Sequence, residues 1–200
     1  MKKFFLLLFL FPLCHLNSQE IIPEGSTWYY LKGKSDISTS WISENFSTST
    51  WSAGKAPFRY GDGSGGTELT DMQNSYTTVF LRKVISVDIP DSLIGDIIAR
   101  VSYDDGFRLW INGIEAASKN APAASTYDAV APTAIETITD TITISSSKVN
   151  LKNGKNVICV LVYNCSLSSS DLFFDISLIV QQPMPKGPEV NFSHPGGYYN

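Results

Sequence analysis

The stretch between Ser26 and Gln181 carries apolar residues in the short period of β-strands and shows no helical period. Successive residues of a strand point to opposite faces, so a half-buried strand alternates apolar and polar residues. The segment Ile138–Ile144 does this, with threonines between isoleucines. The run Val157–Val162 is apolar throughout, which indicates either a central strand covered on both faces or an interface. Both patterns favour two facing sheets around a common interior.

We expect about eight strands, separated by clusters of Gly, Pro, Asn, Asp and Ser. They lie near Thr27–Lys32, Thr77–Val87, Ile94–Tyr103, Phe107–Ile111, Ile114–Ala117, Ile135–Ile144, Asn156–Tyr163 and Leu172–Val180. The pair Asn112-Gly113 predicts a two-residue hairpin, because both residues tolerate the positive φ values of a type I′ turn. A short helix around Ser40–Phe46 is the one helical expectation. Strands at this spacing predict an all-β chain folded as an antiparallel β-sandwich of the jelly-roll type.

The N-terminal residues have the composition of a secretory signal peptide. A pair of lysines precedes an apolar run over residues 4–13, and a run of about 10 residues is too short to span a bilayer. We therefore expect a signal peptide over residues 1–18, cleaved after Ser18, and a protein that is secreted or acts at the cell surface. Cys14 offers lipid anchoring as an alternative, although a leucine stands before it where a small residue is usual.

The C-terminal residues predict a change of domain. Proline lacks the backbone donor of a sheet ladder and is poorly tolerated there. We therefore assign residues 22–181 to the sandwich and residues 182–189, which are rich in proline, to a linker. Residues 190–200 begin a fresh strand-and-turn pattern, and we expect them to start a second, truncated β domain.

The charge and the histidine content exclude several functions. The chain has 15 Lys and Arg against 19 Asp and Glu, and the basic residues form no cluster. Phosphate-backbone binding needs clustered basic residues, so we expect no nucleic-acid partner. The only histidines are His15 and His194, outside the predicted sandwich. The sandwich therefore has no Ser-His-Asp or Cys-His unit, and we expect it to be non-catalytic.

Several motifs follow one another along the chain. They are Ile22–Trp28 with Tyr30, the aromatic residues Trp41, Phe46 and Trp51, then Ala56–Gly63, Phe80–Lys83, Asp104–Gly106, Trp110–Gly113, Gly154–Ile158, Ser169–Leu172 and Phe174–Asp175. In this order they resemble a galactose-binding-like jelly-roll module found at the front of multidomain secreted bacterial proteins. The resemblance implies downstream domains, such as a CotH kinase-like domain or a lamin-tail domain.

Asp104 and Asp105, followed by Gly106, form the most distinctive polar motif. Adjacent carboxylates in a loop entering a strand suit Ca²⁺, which takes oxygen ligands. The stretch is similar to one in protective-antigen-type lectin domains, where calcium holds the sugar. Asp104 and Asp105 are therefore candidate ligands of calcium and of sugar. The alternative is that Asp and Gly form the turn and an Asp side chain caps backbone donors.

Trp110, Tyr60 and Asp62 are further candidate ligand-binding residues. Trp110 alternates with three apolar residues of its strand and therefore faces away from the sandwich interior. There it either stacks on a sugar ring or packs beneath a neighbouring loop. Tyr60 and Asp62 lie in a loop rich in glycine. The remaining tryptophans, which are Trp28, Trp41 and Trp51, are expected to pack under the long early loops.

These observations favour a non-catalytic extracellular module at the N-terminus of a larger secreted protein. Its expected partner is a polysaccharide or a cell-surface glycan. The alternative is a structural spacer that docks a downstream CotH kinase-like or hydrolase domain of the same protein.

Overall fold

The computed structural model describes residues 18–183, which are mostly strand. The strands are β1 Ser18–Ile22, β2 Thr27–Lys32, β3 Ser52–Lys55, β4 Phe58–Tyr60, β5 Thr67–Glu68, β6 Thr78–Val87, β7 Ile97–Asp104, β8 Gly106–Ile111, β9 Ile114–Lys119, β10 Ile138–Ile144, β11 Gly154–Tyr163 and β12 Leu172–Gln181. Short 3-10 turns lie at Thr39–Ile42, Asp91–Leu93 and Ser146–Lys148. Within this part of the chain no helix has the length and apolar character to cross a membrane.

The strands form two six-stranded sheets. The first has the order β10-β7-β12-β4-β5, and β1 pairs with β12 beside this path. The second has the order β3-β2-β6-β11-β8-β9. Neighbouring strands are antiparallel apart from the short β4–β5 pair, which is parallel. The predicted all-β antiparallel sandwich is confirmed.

The main core lies between the sheets and is built by alternation. Every second residue of β12 points inward, and these residues are Leu172, Phe174, Ile176, Leu178 and Val180. From the second sheet, Ile158, Val160 and Val162 of β11 meet them and are fully buried. The period of two therefore places a continuous apolar face on each sheet, and the hydrophobic effect holds the faces together.

A second apolar layer covers the outer face of the second sheet. We call it the outer cluster, and its members are Trp41, Trp51, Phe80, Trp110, Ala131, Val157, Cys159, Leu161 and Tyr163. Four of these residues belong to β11, whose other face lies in the main core. The uninterrupted apolar run of β11 thus belongs to a central strand covered on both faces, the first of the two predicted explanations.

Arg82 fixes the loop that carries Trp41 over this sheet. The side chain is 3% exposed, and its guanidinium donates to the backbone carbonyls of Trp41, Ser43 and Glu44 at 3.2, 2.8 and 3.3 Å. These bonds hold the loop in a conformation other than an α-helix. The predicted helix at Ser40–Phe46 was accordingly wrong in type and length, since only a 3-10 turn at Thr39–Ile42 forms.

The eight predicted strands are all present; β2 has the predicted bounds, and the others have shifted ends. The Asn112-Gly113 hairpin between β8 and β9 is confirmed, with φ values of +50° and +81°. Strands β1, β3, β4 and β5 were missed because they have two to five residues and too little alternation to recognise. The predicted second domain, and the predicted signal peptide up to residue 17, lie outside the described residues.

We expect Val160→Ala to lower the free energy of unfolding by about 2 kcal/mol, because it removes fully buried methyl groups from the main core. Val84→Ala is the matched control, since Val84 lies in a strand of the same sheet and is 46% exposed. This variant should lower the free energy of unfolding by less than about 1 kcal/mol. Urea unfolding of both variants measures the difference. Equal losses would contradict the assignment of β11 to the sandwich interior.

Candidate functional site

One end of the sandwich gathers most of the predicted site residues. Here β4, β7 and β11 end and β10 and β12 begin. We call it the loop end, and it is built from residues 61–66, 120–137 and 164–171. Four of the five predicted residues lie there, namely Tyr60, Asp62, Asp104 and Asp105. Trp110 lies elsewhere, near the opposite end of β8.

Asp105 holds the loop end together. The side chain is 3% exposed. One carboxylate oxygen accepts the backbone N–H of Ile135 and the other that of Cys165, both at 2.6 Å. The Asn120 side chain also donates to the Asp105 carbonyl at 3.2 Å. Asp105 thus performs the capping role that was the alternative to calcium binding, and calcium ligation by it stays a prediction.

Asp104 is also 3% exposed, but its carboxylate has few hydrogen-bond partners. Among residues 18–183, its carboxylate receives one hydrogen bond, a long one of 3.4 Å from the Thr137 hydroxyl. Burial, followed by the negative charges of Asp105, Asp171 and Glu136, raises the pKa of Asp104 to about 7. The carboxyl is therefore partly protonated near neutral pH.

Asp62, Glu136 and Asp171 form a carboxylate trio beside Asp104. Each offers one oxygen, and these oxygens lie within 4.8 Å of one another. Gly61 makes the approach possible, because its φ is +76° and a Cβ there would lie 2.3 Å from the Ser170 carbonyl oxygen. An all-oxygen donor set of this kind suits a hard cation such as Ca²⁺ better than a soft metal.

Tyr60 helps to position the segment that carries Asp171 of the trio. It is 6% exposed, and its hydroxyl donates to the Ser169 carbonyl and accepts from the Asn164 side chain at 3.1 Å. Asn164 also donates to the Asp171 carbonyl at 2.9 Å. The phenol is thus committed to positioning residues 164–171, and its buried ring offers no face to a ligand.

Trp110 was wrongly predicted as a ligand-binding residue. It is 8% exposed within the outer cluster, and its ring centroid lies 5.3 Å from that of Trp41 in an edge-to-face arrangement. It therefore packs beneath a loop, the second of the two predicted arrangements. Trp41 and Trp51 share that cluster, whereas Trp28 lies in the main core.

The sequence analysis missed Glu136 and Asp171 as site residues. Asp171 stood in a motif of the resemblance, directly before a strand, and this was a usable signal. Glu136 had none, because the predicted strand began at Ile135 and so included it, whereas β10 begins at Ile138. The trio joins three segments that are far apart along the chain, and no spacing rule connects them.

Comparison with known proteins identifies the fold and nothing finer. No family model matches the chain, and no curated protein matches it. The solved β-glucuronidase of Bacteroides uniformis shares 17% identity at a TM-score of 0.54, covering 82% of this chain and 18% of that chain. The β-glucuronidase of an uncultured Clostridium species shares 14% identity at a TM-score of 0.50, covering 89% of this chain and 31% of that chain.

The chain therefore resembles one part of these larger proteins. It spans 18% and 31% of the length of these two structures. At identities this low the likeness establishes a shared β-sandwich, in agreement with a galactose-binding-like fold. The relation to CotH kinase-like or lamin-tail proteins stays a prediction.

Asp104→Asn should flatten the pH dependence of stability between about pH 4 and 7. The pKa of Asp104 in the folded state is raised above its unfolded value, so the folded state retains a proton that the unfolded state releases. The contribution of Asp104 to stability is therefore fully present below about pH 4 and is lost as the pH rises through 7. At pH 8 the variant should be more stable than the native chain by roughly 2 kcal/mol.

Urea unfolding in the presence of a chelator, at pH values across this range, measures the effect. The exposed residue Asp88 provides the matched control Asp88→Asn, which should follow the native profile. Parallel profiles for the native chain and Asp104→Asn would contradict the raised pKa.

Proposed function

We propose that this segment is a non-catalytic accessory module that binds carbohydrate at its loop end. The observation that carries the proposal is the carboxylate trio, held by fixed loops beside the buried Asp104. Carboxylate oxygens are strong acceptors for sugar hydroxyls, and they are also the preferred ligands of Ca²⁺. One site can therefore bind both a sugar and a calcium ion.

The proposed calcium binds among Asp62, Glu136 and Asp171. Ca²⁺ takes about 6–8 oxygen ligands, so three carboxylates leave positions open for water or for sugar hydroxyls. A bound cation would also offset the concentration of negative charge that raises the pKa of Asp104. In this proposal Asp105 positions the loops and does not contact the ion.

The solved structures support a carbohydrate setting for the fold. The Bacteroides uniformis and Clostridium structures are β-glucuronidases, and the matched sandwich is a minor share of each chain. We carry over the association with carbohydrate-active proteins and not the hydrolysis. We further propose that residues 1–18 direct export, and that a downstream domain, CotH kinase-like or another surface-acting type, follows the sandwich.

A second candidate function is the docking of such a downstream domain. It is favoured by an apolar patch on the outer face of the second sheet, beyond the outer cluster. Tyr29 and Val84 are 49% and 46% exposed there, and with Ala53 they line a recess of about 280 Å³. Exposed apolar area of this kind is typical of contact surfaces. Absence of glycan binding in the experiment below would favour this candidate.

We expect the protein to be retarded by immobilised neutral polysaccharides in affinity electrophoresis with Ca²⁺, and less so with EGTA. The double variant Asp62→Asn/Asp171→Asn removes two of the three trio ligands, so calcium affinity measured by calorimetry should fall at least about tenfold, and glycan retention should fall with it.

The exposed Asp88 and Glu20 provide the control double variant Asp88→Asn/Glu20→Gln, which makes the same change of charge away from the trio. It should bind calcium and glycan as the native chain does. A native chain that binds no glycan under either condition would overturn the proposal. Glycan binding that neither EGTA nor the trio variant alters would show that calcium takes no part in that binding.

A further inference from the structure

A groove of about 300 Å³ opens at the same end of the sandwich as the trio. Its lining includes Lys34, Tyr76, Tyr127, Asp128, Val130 and Leu167. The volume is at the lower end of the range for ligand pockets, about 300–1,000 Å³. None of these residues belongs to the trio. We call this the loop-end groove.

Exposed apolar side chains distinguish the groove from the rest of the surface. Val130 is 41% exposed and Leu167 is 48% exposed. In residues 18–183, large hydrophobic side chains this exposed are few, and here two of them line one groove. An apolar pair left in water at the walls of a concave site is typical of a surface that a ligand covers.

The walls of the groove are fixed by hydrogen bonds to the sandwich. The Thr77 and Thr78 hydroxyls, at the start of β6, donate to the carbonyls of Ala129 and Tyr127 at 2.9 and 2.5 Å. On the other side, the Asn74 N–H donates to the Leu167 carbonyl at 2.7 Å. The groove is thus preformed, and a ligand would lose little free energy in ordering it.

The charged groups at the groove are balanced. Lys34 lies 5.2 Å from the centroid of the Tyr76 ring and bonds Asp71 at 2.9 Å. Lys32 bonds the other oxygen of Asp71 at 2.7 Å, and Asp128 is exposed in the lining. Two lysines and two aspartates therefore lie in the groove or beside it. Since the trio at the same end is strongly negative, an anionic ligand would gain no net attraction there.

We propose that the loop-end groove binds a neutral pyranose ring of a glycan. The C–H face of the ring covers Val130 and Leu167, while Lys34 donates to one ring hydroxyl and Asp128 accepts from another. A neutral sugar has both an apolar face and a rim of donors and acceptors, which are the features this lining matches. The inference rests on the proposed carbohydrate function and specifies where the sugar binds and its class.

The groove and the trio are linked through one segment of chain. Residues 164–171 carry Leu167 into the groove and Asp171 into the trio. A glycan seated in the groove can therefore continue across this segment towards the trio.

Calorimetry with cellohexaose, xylohexaose and mannohexaose tests the groove, with hexagalacturonate as the anionic comparison. At least one neutral hexasaccharide should bind, and Leu167→Ser and Val130→Ser should each weaken it about tenfold by removing apolar contact. Leu93→Ser and Val84→Ser are matched controls, because Leu93 and Val84 are 42% and 46% exposed outside the groove. They should change the affinity less than about twofold.

Each outcome has a distinct meaning. Binding of a neutral hexasaccharide that is weakened only by the groove variants supports the inference. Binding that Leu167→Ser and Val130→Ser leave intact overturns the inference while the carbohydrate function stands. Preference for hexagalacturonate overturns the assignment of a neutral sugar. Absence of binding to all four oligosaccharides overturns the carbohydrate function and the inference together.

Discussion

The two short hydrogen bonds to the Asp105 carboxylate are the constraint on which the loop end depends. They join the start of β8 to the amides of Ile135 and Cys165, which belong to two different loops. A buried charge is tolerated only where such donors surround it, and charge-assisted bonds of this kind are strong. Glu136 is the neighbour of Ile135, and residues 164–171 carry both Leu167 and Asp171. One carboxylate therefore positions parts of the trio and of the groove.

The two apolar layers leave the loop end, rather than a sheet face, as the surface for the proposed binding. The main core fills the space between the sheets, and the outer cluster covers much of the outer face of the second sheet. Three of the four tryptophans lie in the outer cluster, so aromatic residues that suggest sugar platforms are packing residues. What remains for ligands is the set of loops that the rigid strands hold in place.

Much of the fold could be predicted from the sequence because strand periodicity is a local signal. The isoleucines of β10 and the apolar run of β11 indicated half-buried and fully buried strands, and Asn112-Gly113 indicated its hairpin. β5 has two residues and could not be recognised in this way. The site was less predictable. Asp104 and Asp105 marked the end of the sandwich that carries the trio, but the trio forms only because Gly61 lets two loops approach closely.

The most direct test of the account is an NMR titration of the ¹⁵N-labelled protein with the neutral hexasaccharide that binds most tightly. Binding at the loop end should shift the backbone amides of residues 127–130 and 164–171 in a saturable manner. The Asn112-Gly113 hairpin, at the opposite end of the sandwich, should remain unchanged. Shifts confined to the patch around Tyr29 and Val84, or no saturable shift at all, would contradict the claim that the loop end is the binding surface.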